Sequence, residues 1–424
     1  METPLTAYIT PGQEPLTLEE YERVGGYQAL HKALQMSPQE VQALVKASNL
    51  RGRGGAGFPT GVKWSVVPMD AGARRPKYLV VNADEMEPGT MKDRLLVEGN
   101  PHQLIEGALI SAYAIQAEVV FIFLRWAYKL AAVRLQRAID EATARGYLGS
   151  RIQGSAFSVA LSLHTSAGRY MCGEETGLLN ALEGKRATPR SKPPFPQVSG
   201  LWGHPTVVNN VETLCNIPHI VNNGAAWFLG LSQSQDGGTK LYGASGRVRR
   251  PGVWELPMGT PLREIFTEYA GGMQDGYAFR AVIPGGASTN FLLEDQLDVK
   301  MDFASVEQAG SRLGTGTMIV LDDRTCPVGM LFSLEQFFAH ESCGWCTPCR
   351  EGLPWIAKIL NALEEGQGEE GDLAVLEHHT RGLAMGHTFC ALAPGAVAPL
   401  EGALKYFRED FARHISEHRC PWRS

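Results

Sequence analysis

The chain has no long apolar run. Its longest wholly apolar strings, such as Val119 to Leu124, fall far short of the roughly 18 residues that span a bilayer, so no direct membrane insertion is expected. The opening METPLTAYITPGQEPLTLEEYERV has no basic stretch leading into an apolar one. That excludes a secretory signal pattern, and a cytoplasmic location is the expectation. No basic run stands out either, and a formal charge of −6 over 424 residues leaves no footprint for nucleic acid. Internal repeats and low-complexity tracts are missing, which removes solenoids and disordered arrays. The eight cysteines do not read as a disulfide framework. Three of them crowd between Cys343 and Cys349, a grouping that suits metal binding.

What is present is an ordinary globular composition, 44% hydrophobic and 20% charged. The length exceeds one typical core and predicts roughly two to four domains. Ser37-Pro38-Gln39-Glu40 reads as a helix start, with Ser37 as cap and Glu40 closing a capping box, and the helix runs toward Ser48. It breaks into RGRGGAGFPTG, Arg51 to Gly61, a loop that needs unusual backbone angles. Strands at Tyr78–Val81 and Val119–Leu124 alternate with helices at Pro101–Ala114 and Tyr128–Arg145, the pattern of parallel βαβ units. A further helix is expected from near Gly173 to Glu183, followed by a long ordered loop from Ala187 to Pro205. From Lys240 shorter strands and turns, with one helix around Pro261–Tyr269, indicate a small α+β domain. After Pro327 the pattern is helical to the end and predicts a bundle, interrupted by the cysteine run and an acidic loop from Glu364 to Asp372.

Cys343-Gly-Trp-Cys346-Thr-Pro-Cys349 places three thiols at i, i+3 and i+6, a spacing that wraps three corners of a cubane cluster. The Cys-Pro that closes the bacterial ferredoxin pattern is absent nearby, and Cys390 is the best candidate for the fourth corner. A structural zinc is the rival, but it usually takes cysteines in two separated pairs. Cys172, Cys215 and Cys326 read as buried free cysteines, and Cys420 is likewise left out of the metal site.

Gly52-Arg-Gly54-Gly55-Ala-Gly57 spells Gly-x-Gly-x-x-Gly, yet a helix rather than a strand precedes it and no acidic residue follows at the usual offset. The standard dinucleotide fingerprint is therefore rejected while nucleotide binding is kept. Arg53 and Lys63 supply positive charge for a phosphate, and Phe58 offers an aromatic face. Two acidic clusters follow: Asn82-Ala-Asp84-Glu85-Met-Glu87 at the end of the first strand, and Gly173-Glu174-Glu175 where a helix begins. Polar groups beyond the carboxyl end of a parallel strand suit a ligand site. Carboxylates in a first helical turn are also favoured by the macrodipole alone. In the second cluster they can accept from ribose hydroxyls while repelling phosphate.

These residues bring the chain into register with a known family. GRGGAGFPTG (52–61), NADEMEPGTMKDR (82–94), GRYMCGEET (168–176), RSKPPFP (190–196), NNVET (209–213), PGVWELPMGT (251–260) and ESCGWCTPCREG (341–352) stand in family order. The chain resembles the NADH-binding, flavin-containing subunit of bacterial respiratory complex I over nearly its whole length. The resemblance implies an FMN/NADH domain of Rossmann-like parallel α/β type over 61–237, after an N-terminal helical segment over 1–60. It implies a ubiquitin-like (β-grasp) domain over 238–326 and a four-helix bundle carrying one [4Fe–4S] cluster over 327–424. FMN would be held by Gly52, Arg53, Gly54, Lys63, Asn82 and Asp84, together with Gly173, Glu174, Asn209, Asn210 and Thr213. Phe58, Glu87, Glu175, Lys192 and Phe195 match residues that contact the dinucleotide in relatives. Cys343, Cys346, Cys349 and Cys390 would hold the cluster.

The chain departs from the family pattern at Trp126-Ala127 where Gly-Glu is usual, and at Ser166 in place of a glycine. Gly177 replaces an alanine inside a helix, at a cost of about 1 kcal/mol, and Val66 stands where some relatives carry a phenylalanine. The function implied is hydride transfer from NADH to FMN, then single-electron transfer to the cluster and onward through partners to quinone. No side-chain acid or base is required; Glu87 and Glu175 position the nicotinamide, and Lys63 with Arg53 neutralise the FMN phosphate. The implied partners are a thioredoxin-like [2Fe–2S] subunit and the large multi-cluster iron–sulfur subunit of the peripheral arm, on the cytoplasmic side of the inner membrane. The rivals are the diaphorase subunit of an NAD-linked formate dehydrogenase or hydrogenase, and a non-catalytic scaffold holding one cluster.

Overall fold

The computed structural model describes residues 2–423. They form two compact units, one of residues 2–86, 91–241 and 255–260, the other of residues 87–90, 242–254 and 261–423.

The first unit is built on a four-stranded parallel sheet of β1 (Tyr78–Ala83), β2 (Val119–Leu124), β3 (Ala160–Thr165) and β4 (Thr206–Asn210), in the order β3-β2-β1-β4. Leu79, Val80 and Val81 of β1 are fully buried, as a strand covered on both faces requires. The helix Pro101–Ile115 is apolar nearly all round and almost wholly buried. Asn100 caps it by accepting from the Gln103 amide at 3.3 Å. The capping box at Ser37 is formed, with Glu40 N donating to Ser37 Oγ at 3.3 Å and Ser37 N to the Glu40 carboxylate at 2.7 Å. That helix spans Pro38–Ala47.

Sequence patterning did not indicate β3 and β4. β3 reads Ala-Leu-Ser-Leu-His-Thr and lies at the sheet edge with no fully buried residue. β4 is short, follows Pro205 and ends in two asparagines. The helix expected from Gly173 starts instead at Glu175 and runs to Leu182, because Glu174 is extended (ψ 126°) and caps it; a 3-10 turn, Tyr170–Gly173, precedes it.

In the second unit β7 (Phe279–Ile283) and β8 (Thr317–Asp322) are antiparallel, and β8 runs parallel to β5 (Thr239–Gly246). With β6 (Gly252–Pro257) they make a mixed sheet in the order β6-β5-β8-β7. The helix expected around Pro261–Tyr269 is one α turn, Leu262–Glu264, continued as a π turn, Ile265–Tyr269. Helices Pro327–Glu341, Thr347–Glu364, Asp372–Gly382 and Leu392–Tyr406 form the bundle, joined by a shorter helix, Arg408–Ser416. Leu353, Ile356, Leu360 and Leu363 make a fully buried stripe at helical spacing. Glu335 is also fully buried, and neither of its carboxylate oxygens hydrogen-bonds a described residue. No helix among the described residues is long and apolar enough to cross a membrane.

Candidate functional site

The chain lays β1, β2 and β3 outward in one direction and then returns to place β4 on the far side of β1. That reversal is a topological switch point, and the crevice beyond the strand ends there is where open parallel sheets bind ligands. Asn82 closes on this end of β1 opposite Asn210 of β4, with Val81 opposite Asn209. Asn209 Oδ1 accepts from Trp64 Nε1 at 3.0 Å, and Asn210 Nδ2 donates to Asp93 at 2.6 Å.

The glycine loop is pressed over the same end. A Cβ on Gly54 would lie 3.2 Å from Asn210 Cβ, and Gly55 and Gly57 have φ of 120° and 66°, angles that disfavour side chains. Gly52 N donates to Phe58 O at 2.9 Å and closes the loop, and Arg53 N donates to Thr213 Oγ1 at 2.8 Å. The Arg53 guanidinium is fully buried and donates to the carbonyls of Gly237 at 2.6 Å and Thr239 at 3.1 Å. Its charge, expected to face a phosphate, thus anchors the loop to the interior.

Asn82 Nδ2 donates to Cys172 O at 3.3 Å and draws in the turn before Glu174. A Cβ on Gly173 would meet nothing within 4 Å, so this wall is open. Glu174 accepts from the amides of Thr176 and Gly177, each at 2.8 Å. A Cβ at Gly177 would stand 2.7 Å from the Met171 carbonyl, which accounts for glycine inside this helix. Lys63 Nζ donates to Glu175 at 2.6 Å and to Val208 O at 2.8 Å. Lys192 reaches Glu174 at 2.9 Å and Glu175 at 3.3 Å. Burial pushes the Glu175 carboxyl up, but the two lysines outweigh it and hold the group below its ordinary value. Phe58 and Phe195 are 56% and 54% exposed, unusual for large aromatics and consistent with faces kept for a ring.

The departures from the family pattern are accommodated locally. Ser166 Oγ donates to Asp84 at 2.9 Å and accepts from Gly168 N at 3.2 Å. Trp126 lies against Gly168, where a Cβ would come within 2.5 Å of the indole, and Lys129 Nζ sits 4.3 Å from its ring centroid. Val66 is 54% exposed at the end of the helix Thr60–Ser65. Glu87 belongs to the second unit, where it accepts from Ser288 N at 2.7 Å.

Sequence reasoning missed a buried charge network beneath the crevice. Lys92 Nζ is 2.8 Å from Glu212 and 2.7 Å from Asp93, and Lys240 Nζ is 3.3 Å from Glu212. Burial alone would raise the Glu212 carboxyl, yet Lys240, Lys92 and Arg53 hold it down to about 2. Burial lowers Lys240 to about 7. Glu85 accepts from the amides of Asp93 and Arg94 and from Tyr128 OH, at 2.9, 3.2 and 2.9 Å, while burial and the Asp93 charge raise it to about 7. Nothing in the local sequence separates such residues from surface charges.

In the second unit the cysteine run wraps the start of the helix Thr347–Glu364. Gly344 turns the loop at φ 74°, Cys346 is the helix N-cap and Cys349 lies in the first turn. Trp345 and Phe389 rings meet at 6.3 Å and bring the Cys390 segment to the loop. Burial, and then the charges of Cys346, Cys390 and Cys343, push the Cys349 thiol up to about 12. The four expected ligands therefore share one neighbourhood. An all-sulfur donor set suits an iron–sulfur cluster. Cys172 and Cys215 are buried, as small hydrophobes are.

The family model described as the Nuo51 FMN-binding domain matches residues 45–219, an SLBB domain matches 244–292, and the NADH-ubiquinone oxidoreductase-F iron-sulfur binding region matches 329–414. The F subunit of NADH-quinone oxidoreductase from Escherichia coli is 57% identical over 415 residues, covering 98% of this chain and 93% of that one. Its namesake in Mycobacterium tuberculosis is 47% identical over 428 residues, covering 99% and 96%. Among solved structures, an NAD+-reducing [NiFe]-hydrogenase in the H2-reduced state matches with a TM-score of 0.82 at 34% identity, over 96% of this chain and 68% of that one.

Proposed function

This chain belongs to the family of NADH-quinone oxidoreductase F subunits, and from that premise we propose that the crevice at the β1/β4 switch point holds FMN and NADH. The protein is the NADH-oxidising, electron-input component of that oxidoreductase. FMN held there would supply the chemistry of taking the single hydride of NADH, two electrons together, and passing them one at a time to a [4Fe–4S] cluster. Every other task falls to binding and alignment.

The single observation that supports this reading best is the glycine loop lying over the switch point, pinned by Arg53 and Thr213 and flanked by an open wall at Gly173. The glycine backbone at Gly52 and Gly54 lets a phosphate approach closely, and Lys63, held by Glu175 and the Val208 carbonyl, supplies positive charge for the phosphate end of FMN. Asn82, Asp84, Asn209, Asn210, Thr213 and Glu174 supply donors and acceptors for its polar edges. Glu175 and Lys192 orient the dinucleotide while Phe58 and Phe195 cover it. Cys343, Cys346, Cys349 and Cys390 hold the cluster.

The protein works as one component of a larger assembly. Its immediate partners are a thioredoxin-like [2Fe–2S] subunit and the large multi-cluster iron–sulfur subunit of the peripheral arm, on the cytoplasmic side of the membrane. A second reading, the diaphorase of an NAD-linked hydrogenase or formate dehydrogenase, is favoured by the hydrogenase likeness. It is weaker because the chain spans 68% of that hydrogenase chain but 93% of the Escherichia coli relative.

Anaerobic titration of the cofactor-loaded chain with NADH, read by flavin absorbance and low-temperature EPR, tests the assignment. Flavin bleaching with a cubane signal is the expected result. Bleaching without a cluster signal would remove the cysteine assignment, and no bleaching would remove the dehydrogenase itself.

A further inference from the structure

The C-terminal helices gather a second set of metal-binding side chains that shares no residue with the cysteine loop. The Cys326 thiol, a Glu364 oxygen, a His414 ring nitrogen and the Cys420 thiol all lie within 4.8 Å of one another. Cys326 Sγ is 3.0 Å from Glu364 Oε1 and 3.3 Å from His414 Nε2, and those two atoms are 3.1 Å apart. We propose that these four side chains form a mononuclear, zinc-class structural metal site that fastens the C-terminal tail to the helical bundle.

The donors are prepared for a cation. His414 Nδ1 faces the Asp410 carbonyl at 2.6 Å, and a carbonyl only accepts, so Nδ1 carries a proton and Nε2, 3.1 Å from Glu364 and 3.3 Å from Cys326, is the ring atom left to turn to a cation. That second hydrogen bond is the usual support of a metal-bound imidazole. Cys326 caps the helix Pro327–Glu341 and its sulfur accepts from Gly329 N at 3.3 Å, which fixes it beside Glu364 and His414. Gly329 also makes room, because a Cβ there would come 3.1 Å from the Glu364 carboxylate. Arg423 holds the other Glu364 oxygen at 3.0 Å. On binding a divalent ion the two thiols release two protons to solvent, leaving two thiolates, one carboxylate and one dication. The residual single negative charge is the one Arg423 offsets.

Size and closure agree with one ion. Tetrahedral zinc with sulfur at ~2.3 Å and nitrogen or oxygen at ~2.0–2.1 Å has ligand edges of about 3.3–3.8 Å, so Cys326, Glu364 and His414 need to open by up to about half an ångström, and Cys420 lies within 4.8 Å of them. Cys420, Glu364 and His414 are 3%, 4% and 0% exposed and Cys326 is partly buried, so four protein donors in a mostly enclosed place fit a structural ion. The tail that brings Cys420 is seated: Gly366 has φ 71°, and a Cβ on it would stand 2.0 Å from the His418 carbonyl. Trp422 stacks on His414 at 5.8 Å.

The test is zinc and iron content of the full-length, flavin- and cluster-containing chain, prepared from zinc-supplemented medium, with zinc-edge X-ray absorption. The expected result is one zinc per chain with two sulfur and two nitrogen or oxygen neighbours, lost in both C326S and C420S while flavin content and the cluster EPR signal persist. Those two signals report folding, so loss of zinc with either of them gone is answered by H414Q, which keeps both thiols and weakens zinc binding. Absence of zinc from the wild-type chain, its retention in both serine variants, or trapping of a Cys326–Cys420 disulfide would each overturn the proposal.

Discussion

In the first unit, Lys92, Glu212 and Lys240 are buried and already bonded to one another; in the second, three thiols of one loop are joined by the Cys390 segment. The crevice at the strand ends is therefore assembled by the protein alone, through pairs whose charges cancel internally. The bundle, by contrast, collects donors that are satisfied best by a metal. The first region should keep its shape without cofactor, and the second should depend on its metals.

The largest expected effect strikes the second region. Cys346→Ala abolishes the cluster EPR signal and electron delivery to any acceptor beyond it, yet NADH still bleaches the flavin; a surviving cubane signal would break the contrast. In the first region Glu212→Ala leaves Lys92 and Lys240 buried without their common partner. Breaking such a buried pair costs about 3–5 kcal/mol, seen as a lower Tm and weakened flavin retention. A loss under about 1 kcal/mol, the ordinary worth of a surface pair, would mean the network is not what holds the crevice.

Glu175→Gln acts on binding rather than folding. Removing one charge-assisted contact, worth ~1.5–3 kcal/mol, raises the KM for NADH roughly ten- to hundredfold with flavin content unchanged. An unmoved KM would reduce Glu175 to a helix-terminal charge. The smallest effect belongs to Glu335, whose carboxyl burial holds well above its ordinary value. It binds its proton more tightly folded than unfolded, so its contribution is fully present below the unfolded value of 4.5 and is lost as pH rises toward the folded one. Glu335→Gln removes this slope of about 1.4 kcal/mol per pH unit, which denaturation at pH 5 and pH 8 would reveal. Near pH 7 the net gain is small, because the amide leaves hydrogen bonds of its own unmade.

Much of this was legible in the residues. Val119–Leu124 appears as a strand to the residue, and the capping box at Ser37 and the change to helices after Pro327 follow their local signals. Local signals failed where long-range pairing decides: β3 and β4 have weak strand patterns and exist because β2 and β1 template them. For the site, motif spacing grouped Cys343, Cys346 and Cys349, since one loop carries all three. It gave no hint that the Arg53 guanidinium turns inward to Gly237 and Thr239, 184 and 186 residues away. Cys326 reads as a buried hydrophobe and Cys420 as a tail residue, and only the fold sets them beside His414 and Glu364.

The return of β4 to the far side of β1 has an evolutionary consequence. A cleft produced by the path of the chain exists whatever side chains line it, so substitution can alter its occupant's fit without closing it. Trp126, Ser166 and Val66 are changes of that kind, each absorbed beside the crevice with the sheet order intact. Variation of this kind leaves the scaffold intact, whereas a change in strand order would remove the crevice altogether.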